Sequence, residues 1–112
     1  MSRESLSEPS FYILLSLSEP LHGYGIIKKV ETLSSGRLKL GAGTLYGALD
    51  KMVKKKWISH HKPGNGSSRR KVYKLTLLGQ QIFENEVSRL RELVKHGQQA
   101  LKTIQETVDE QD

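Results

Sequence analysis

Residues 64–71 read GNGSSRRK. Two glycines and an asparagine suit a tight turn, and three cations follow without a break. A packed core has no use for such a stretch. Arg69, Arg70 and Lys71 offer charge and donors, and Ser67 and Ser68 offer hydroxyls. Together they form a set that fits phosphate oxygens. Other chemistry is thinly represented. The chain has no cysteine, so it has no thiol nucleophile and no thiolate metal site. His60 and His61 are neighbours on an expected strand and point to opposite faces, while His22 and His96 lie far away, so no metal-ligand spacing exists. No Ser/His/Asp constellation and no glycine-rich phosphate loop after a strand is present, which excludes the common enzyme classes. No cofactor is expected.

Charge is distributed unevenly along the 112 residues. Residues 1–19 carry −2. Residues 20–74 carry thirteen cations against two anions, Glu31 and Asp50, for +11. Residues 75–112 carry −3. A one-sign block of this density points to a polyanionic partner. The amino terminus MSRESLSEPS is polar and no apolar run approaches the ~20 residues of a membrane span. A soluble cytoplasmic domain without membrane contact is therefore expected.

The elements that must position the basic residues follow from periodicity. SEPSFYILLSLSEP reads as a buried helix capped by Ser7, with Pro9 in its first turn and Pro20 as its stop. HGYGIIKKVETLSSG reads as a second helix closing near Gly36. RLKL (37–40) reads as a short extended piece. In GAGTLYGALDKMVKKKW, Leu45, Leu49, Met52 and Val53 form one apolar stripe, so Thr44, Gly47 and Lys51 face away, with Tyr46 at the border. Gly41 or Ala42 starts this helix. WISHHK and KVYKLT read as strands on either side of the basic turn. Thr76 caps a final long helix. In it Phe83, Val87, Leu90, Val94, Gly97, Leu101, Ile104 and Val108 keep a 3,4 spacing that signals helix–helix association, with Phe83 and Leu90 also entering the core.

This order is the plan of a winged helix-turn-helix, mostly α with a small β-hairpin and a long C-terminal dimerisation helix. The third helix is placed for a major groove and the hairpin wing beside it. Residues 1–76 form the expected DNA-binding domain and 77–112 the dimerisation helix. An adaptor that uses the same fold to bind protein, with non-specific DNA affinity alone, is the competing expectation.

Three strings in order, HGYGI (22–26), GTLYGAL (43–49) and RRKVYKLTLLG (69–79), resemble the signature blocks of the PadR family of bacterial transcriptional regulators. The resemblance covers about residues 8–95. It implies a homodimer, usually a repressor, that binds double-stranded operator DNA and answers to a small-molecule effector or stress signal. It places Tyr24, Thr44, Tyr46 and Gly47 near the recognition surface and Arg69, Arg70 and Lys71 on the wing, and Lys51, on the polar face of the third helix, is a further candidate for DNA contact. The dimer it implies is made through the C-terminal helix with help from the first helix, which agrees with a seam through Phe83, Val87, Leu90, Val94, Leu101 and Ile104 read from the 3,4 spacing. The chain departs from the family pattern at Gly41-Ala42, where Ser-Pro is common, at Gly47, where proline is frequent, and at Val72, where a second aromatic is common.

Overall fold

The structure is a computed structural model and describes residues 5–61 and 71–111, with side chains through Asp109. Its elements are α1 (Glu8–Ser16), β1 (Leu21–His22), α2 (Gly23–Leu33), α3 (Ala42–Lys54), β2 (Ile58–His61), β3 (Val72–Leu75) and α4 (Leu77–Gln111).

Local chemistry sets the helix boundaries. The Ser7 hydroxyl accepts the Ser10 N–H at 3.2 Å and caps α1. Gly41 caps α3 through its backbone alone. Thr76 caps α4, its hydroxyl accepting the Gly79 N–H at 3.0 Å. The C-termini of α2 and α3 close in the same way. Gly36 N–H donates to Glu31 O at 2.7 Å and Trp57 N–H to Met52 O at 3.0 Å, six-residue closures typical of a Schellman turn. The left-handed residue at each closure is not glycine but Ser35 (φ 55°) and Lys56 (φ 63°), with Gly36 (φ 81°) one position later than the usual site.

The core gathers one stripe from each element. Ile13, Leu14 and Leu17 from the first helical segment meet Ile26 and Val30 of α2, Leu45, Leu49 and Met52 of α3, and Ile58 and Tyr73 of the sheet. The stripe expected on α3 is thus buried, with Val53 at its edge. Phe83 of α4 stacks on Phe11 with ring centroids 5.0 Å apart, which draws the start of α4 into this body.

Two expectations are corrected. The hairpin is one part of a three-stranded antiparallel sheet in the order β1-β3-β2. His22, expected to lie at a helix start, and Leu21 before it pair with Val72 and Tyr73 along the second edge of β3. Conversely, residues 37–40 join no sheet. Leu38 and Leu40 instead pack on the core from a loop, which the Leu38 N–H anchors by donating to the Ser34 hydroxyl at 3.0 Å. A two-residue strand has no alternation to read, and the leucines of the Arg-Leu-Lys-Leu run are buried against the core without strand pairing.

Glu86 of α4 is buried at 3% exposure. It accepts the Leu6 N–H at 3.0 Å and a two-pronged ion pair from Arg89 at 2.7 and 2.8 Å, and so clasps the segment before α1 to α4. The Arg89 hydrogen bonds hold the Glu86 carboxyl below the ordinary glutamate range, helped by Leu6 N–H and opposed by burial. A depressed folded-state value stabilises the protein above the unfolded value. That stabilisation is lost as pH falls through the folded value. Urea unfolding followed from pH 7 down to pH 3 is expected to show this loss in the wild type. Glu86→Gln is expected to be less stable at pH 7 and to lose less on acidification.

Candidate nucleic-acid interface

The outward arc of α3 holds Gly43, Thr44, Tyr46, Gly47, Asp50, Lys51 and Lys54, all exposed. Gly43 and Gly47 leave its middle bare, since a Cβ at either would meet nothing within 4 Å. Thr44 and Lys51 flank one side and line a groove of about 530 Å³ shared with the start of α1, Met52 and Trp57. Tyr46 and Asp50 flank the other side. They line a recess of about 610 Å³ with His22, Gly23, Tyr24, Lys71 and Tyr73.

That recess is built by close packing of α2 on α3. A Cβ on Gly23 would lie 2.3 Å from the Tyr46 hydroxyl oxygen, so glycine at this position lets the Tyr46 ring cross the start of α2. Tyr46 stays 44% exposed, so it packs and still presents its tip. Tyr24 is 62% exposed, and the Lys28 ammonium lies 5.7 Å from its ring centroid. Below them Tyr73 is buried. Its phenol is pushed up first by desolvation and then by the nearby Tyr46 and Asp50. The His22 ring nitrogen Nδ1 sits 3.3 Å from the Lys71 carbonyl oxygen, which ties the end of the wing strand to the start of α2.

The structure therefore brings Tyr24, Tyr46 and Lys71 together on one flank and Thr44 and Lys51 on the other, with Gly47 between. Ser67, Ser68, Arg69 and Arg70 lie outside the described residues. The cations differ in what they do inside the chain. Lys29 pairs with Glu19 at 3.4 Å and Arg37 pairs with Glu8. Lys55 covers the Trp57 ring at 4.7 Å. Lys28, Lys39, Lys51, Lys54, Lys56, Lys71 and Lys74 are exposed and have no ion pair among the described residues. His22, Tyr73 and Asp50 were not singled out from sequence. The available signal for Asp50 was its being one of two anions in the basic block.

The seam on α4 divides in two. Phe83, Val87 and Leu90 are half-buried within the chain, whereas residues 91–109 are exposed throughout. Val94, Leu101, Ile104 and Val108 are each more than half exposed. At 35 residues α4 is about 52 Å long, far longer than the body it packs on. Gly97 has open space around it. Among the described residues no helix is long and apolar enough to cross a membrane, and no cluster of three ligating side chains could hold a metal.

Comparison with known proteins agrees with this arrangement. The family described as the transcriptional regulator PadR-like family matches residues 13–85. A PadR family transcription regulator from Clostridium difficile superposes with a TM-score of 0.70 at 28% identity, covering 85% of this chain and 99% of that one. Bacillus subtilis PadR in complex with operator DNA superposes at 0.61 and 22% identity, covering 70% of this chain and 45% of that one, a likeness of fold. An uncharacterized 37.1 kDa protein in transposon TN4556 of Streptomyces fradiae is 32% identical over 88 residues. The chain covers 24% of that protein's length, and the match spans 78% of the chain.

A methyl at Gly23 is expected to push the Tyr46 ring outward. The displaced atoms end a partly exposed side chain, so Gly23→Ala is expected to cost under about 1 kcal/mol in urea unfolding. The Tyr46 ring resonances should shift, and the effects of Gly23→Ala and Tyr46→Ala should be non-additive in a double-mutant cycle.

Proposed function

The chain belongs to the PadR-like family of transcriptional regulators, and on that premise we propose that it binds operator DNA as a homodimer in the cytoplasm and represses transcription. It is a regulator and not an enzyme. The observation that carries the reading is the outward arc of α3, bare along its centre and flanked by Tyr24, Tyr46 and Lys71 on one side and Thr44 and Lys51 on the other. In this reading α3 enters a major groove, and Ser67, Ser68, Arg69, Arg70 and Lys71 meet the flanking backbone. The residues 20–74 supply the positive field that draws the duplex in.

The exposed face of α4 supports the dimer. Val94, Leu101, Ile104 and Val108 present an exposed apolar row at helical spacing, without cover from the described residues. A second copy covers it by the same residues, as two-fold symmetry requires. Two recognition helices then stand about 34 Å apart and match a pseudo-palindromic site. Gly97 falls on this row, where the missing side chain lets two helices approach closely. A small-molecule effector acting between the paired helices and the winged bodies would relieve repression by changing that spacing.

Fluorescence anisotropy on DNA from upstream of the coding region, beside scrambled DNA and across a salt series, tests the reading. A preference of about a thousandfold with two chains per site is expected, with affinity falling steeply as salt rises. Arg69→Ala with Arg70→Ala should weaken binding on all sequences and flatten the salt slope. Equal and weak binding to both DNAs would favour a protein-binding adaptor. For the seam, Leu101→Asp with Ile104→Asp is expected to give a monomer in sedimentation and to reduce operator affinity by more than about tenfold. A dimer that persists in this variant would overturn the assigned interface.

A further inference from the structure

Asp50 stands on a surface whose other charges are positive. Of the two anions among residues 20–74, Glu31 is half-buried on α2, and Asp50 is exposed on the outward arc of α3. The ion pairs among the described residues are Lys29–Glu19, Arg37–Glu8 and Arg89–Glu86, so none engages Asp50. Lys54, one turn later, is well placed for an i,i+4 pair and does not make one with it. A carboxylate here repels phosphate and lowers affinity for DNA of every sequence. It is compensated where it meets a donor, because an ionised carboxylate only accepts hydrogen bonds. The major groove offers such donors as the exocyclic amino groups of cytosine (N4) and adenine (N6).

Reach is the second requirement, since an aspartate side chain is short. The six described helical glycines, Gly23, Gly25, Gly43, Gly47, Gly79 and Gly97, differ in what surrounds them. At Gly79 a methyl would strike the Trp57 carbonyl oxygen, so the backbone there demands glycine; at Gly23 it would displace the tip of Tyr46, and at Gly25 it would meet Leu21 at ordinary contact distance. At Gly97, on the apolar row of α4, a methyl would meet nothing within 4 Å, and the same holds for the α3 pair Gly43 and Gly47. Glycine weakens a helix relative to alanine, and no contact within the chain explains these two. Both lie on the arc that carries Asp50. Their missing side chains let the α3 backbone seat deeper in a groove, which brings the Asp50 carboxylate to the base edges.

We infer that Asp50 is a specificity-determining residue that accepts a hydrogen bond from an exocyclic base amino group and rejects base pairs that present only acceptors at that point. The inference rests on the operator reading proposed above. Selection from a random duplex library, followed by anisotropy on single-base variants of the selected site, compares the wild type with Asp50→Ala and Asp50→Asn. Asp50 is exposed, so both variants should keep wild-type circular dichroism and oligomeric state.

The wild type is expected to prefer cytosine or adenine by about tenfold at one position per half-site. The selected base tells which amino group is read. Asp50→Ala should lose that preference while gaining affinity for scrambled DNA. Asp50→Asn should favour adenine, because its amide can pair with both N6 and N7. A preference that survives intact in Asp50→Ala, with or without a uniform rise in affinity, overturns the role of Asp50 alone. A wild type with no base preference anywhere overturns the operator reading and this inference with it.

Discussion

The carbonyl oxygen of Trp57 holds the two halves of this protein together. It accepts the Thr76 N–H at 3.1 Å, and the Thr76 hydroxyl lies 3.0 Å from it and 2.6 Å from the Lys56 oxygen. The same hydroxyl receives the Gly79 N–H and so starts α4. Gly79 must lack a side chain for this approach to exist. The end of α3 and the beginning of α4 are thereby fixed to one another through a few short bonds. A helix about 52 Å long then acts as a lever on the surface that α3 presents. If two such levers pair, the separation of their recognition surfaces depends on the angle set at this junction.

The remaining attachments of α4 keep the lever stiff at its base. Phe83 stacks on Phe11, and Glu86 binds both Arg89 and the backbone of Leu6. Beyond Leu90 the described residues, 91–109, are exposed throughout. One helix thus plays two parts, a packed root and a free arm. The change from root to arm falls within the helix, after Leu90.

Charge follows a similar division. The basic residues of the middle segment differ in availability, because Lys29, Arg37 and Lys55 are engaged by Glu19, Glu8 and Trp57. Those engaged residues hold elements together. Lys51 and Lys71, which have no ion pair among the described residues, border the bare arc of α3. Asp50 interrupts this field at the place where discrimination among bases would be most useful. Field and filter would then occupy one surface, with affinity coming from many cations and selectivity from few polar contacts.

Much of this architecture was legible in the residue pattern because it depends on local chemistry. Ser7 and Thr76 act as caps wherever a helix begins beside them, and Leu45, Leu49 and Met52 share a face by helical geometry alone. The long 3,4 row announced a helix with more apolar surface than one chain could use. By contrast, β1 exists because β3 has a second edge, which no inspection of Leu21 and His22 can reveal. Nothing in the sequence separates Glu86 from the other charges of α4, and its burial beside Leu6 is a tertiary fact. The reason for glycine at positions 23 and 79 lies in Tyr46 and Trp57, which are distant in sequence. The sequence by itself determined the helices, their caps, the basic block and the family. Tertiary structure alone decided which glycines are packing requirements, which cations are free, and that Asp50 stands unpaired among the described residues, since each of these depends on distances between residues that the chain order leaves far apart.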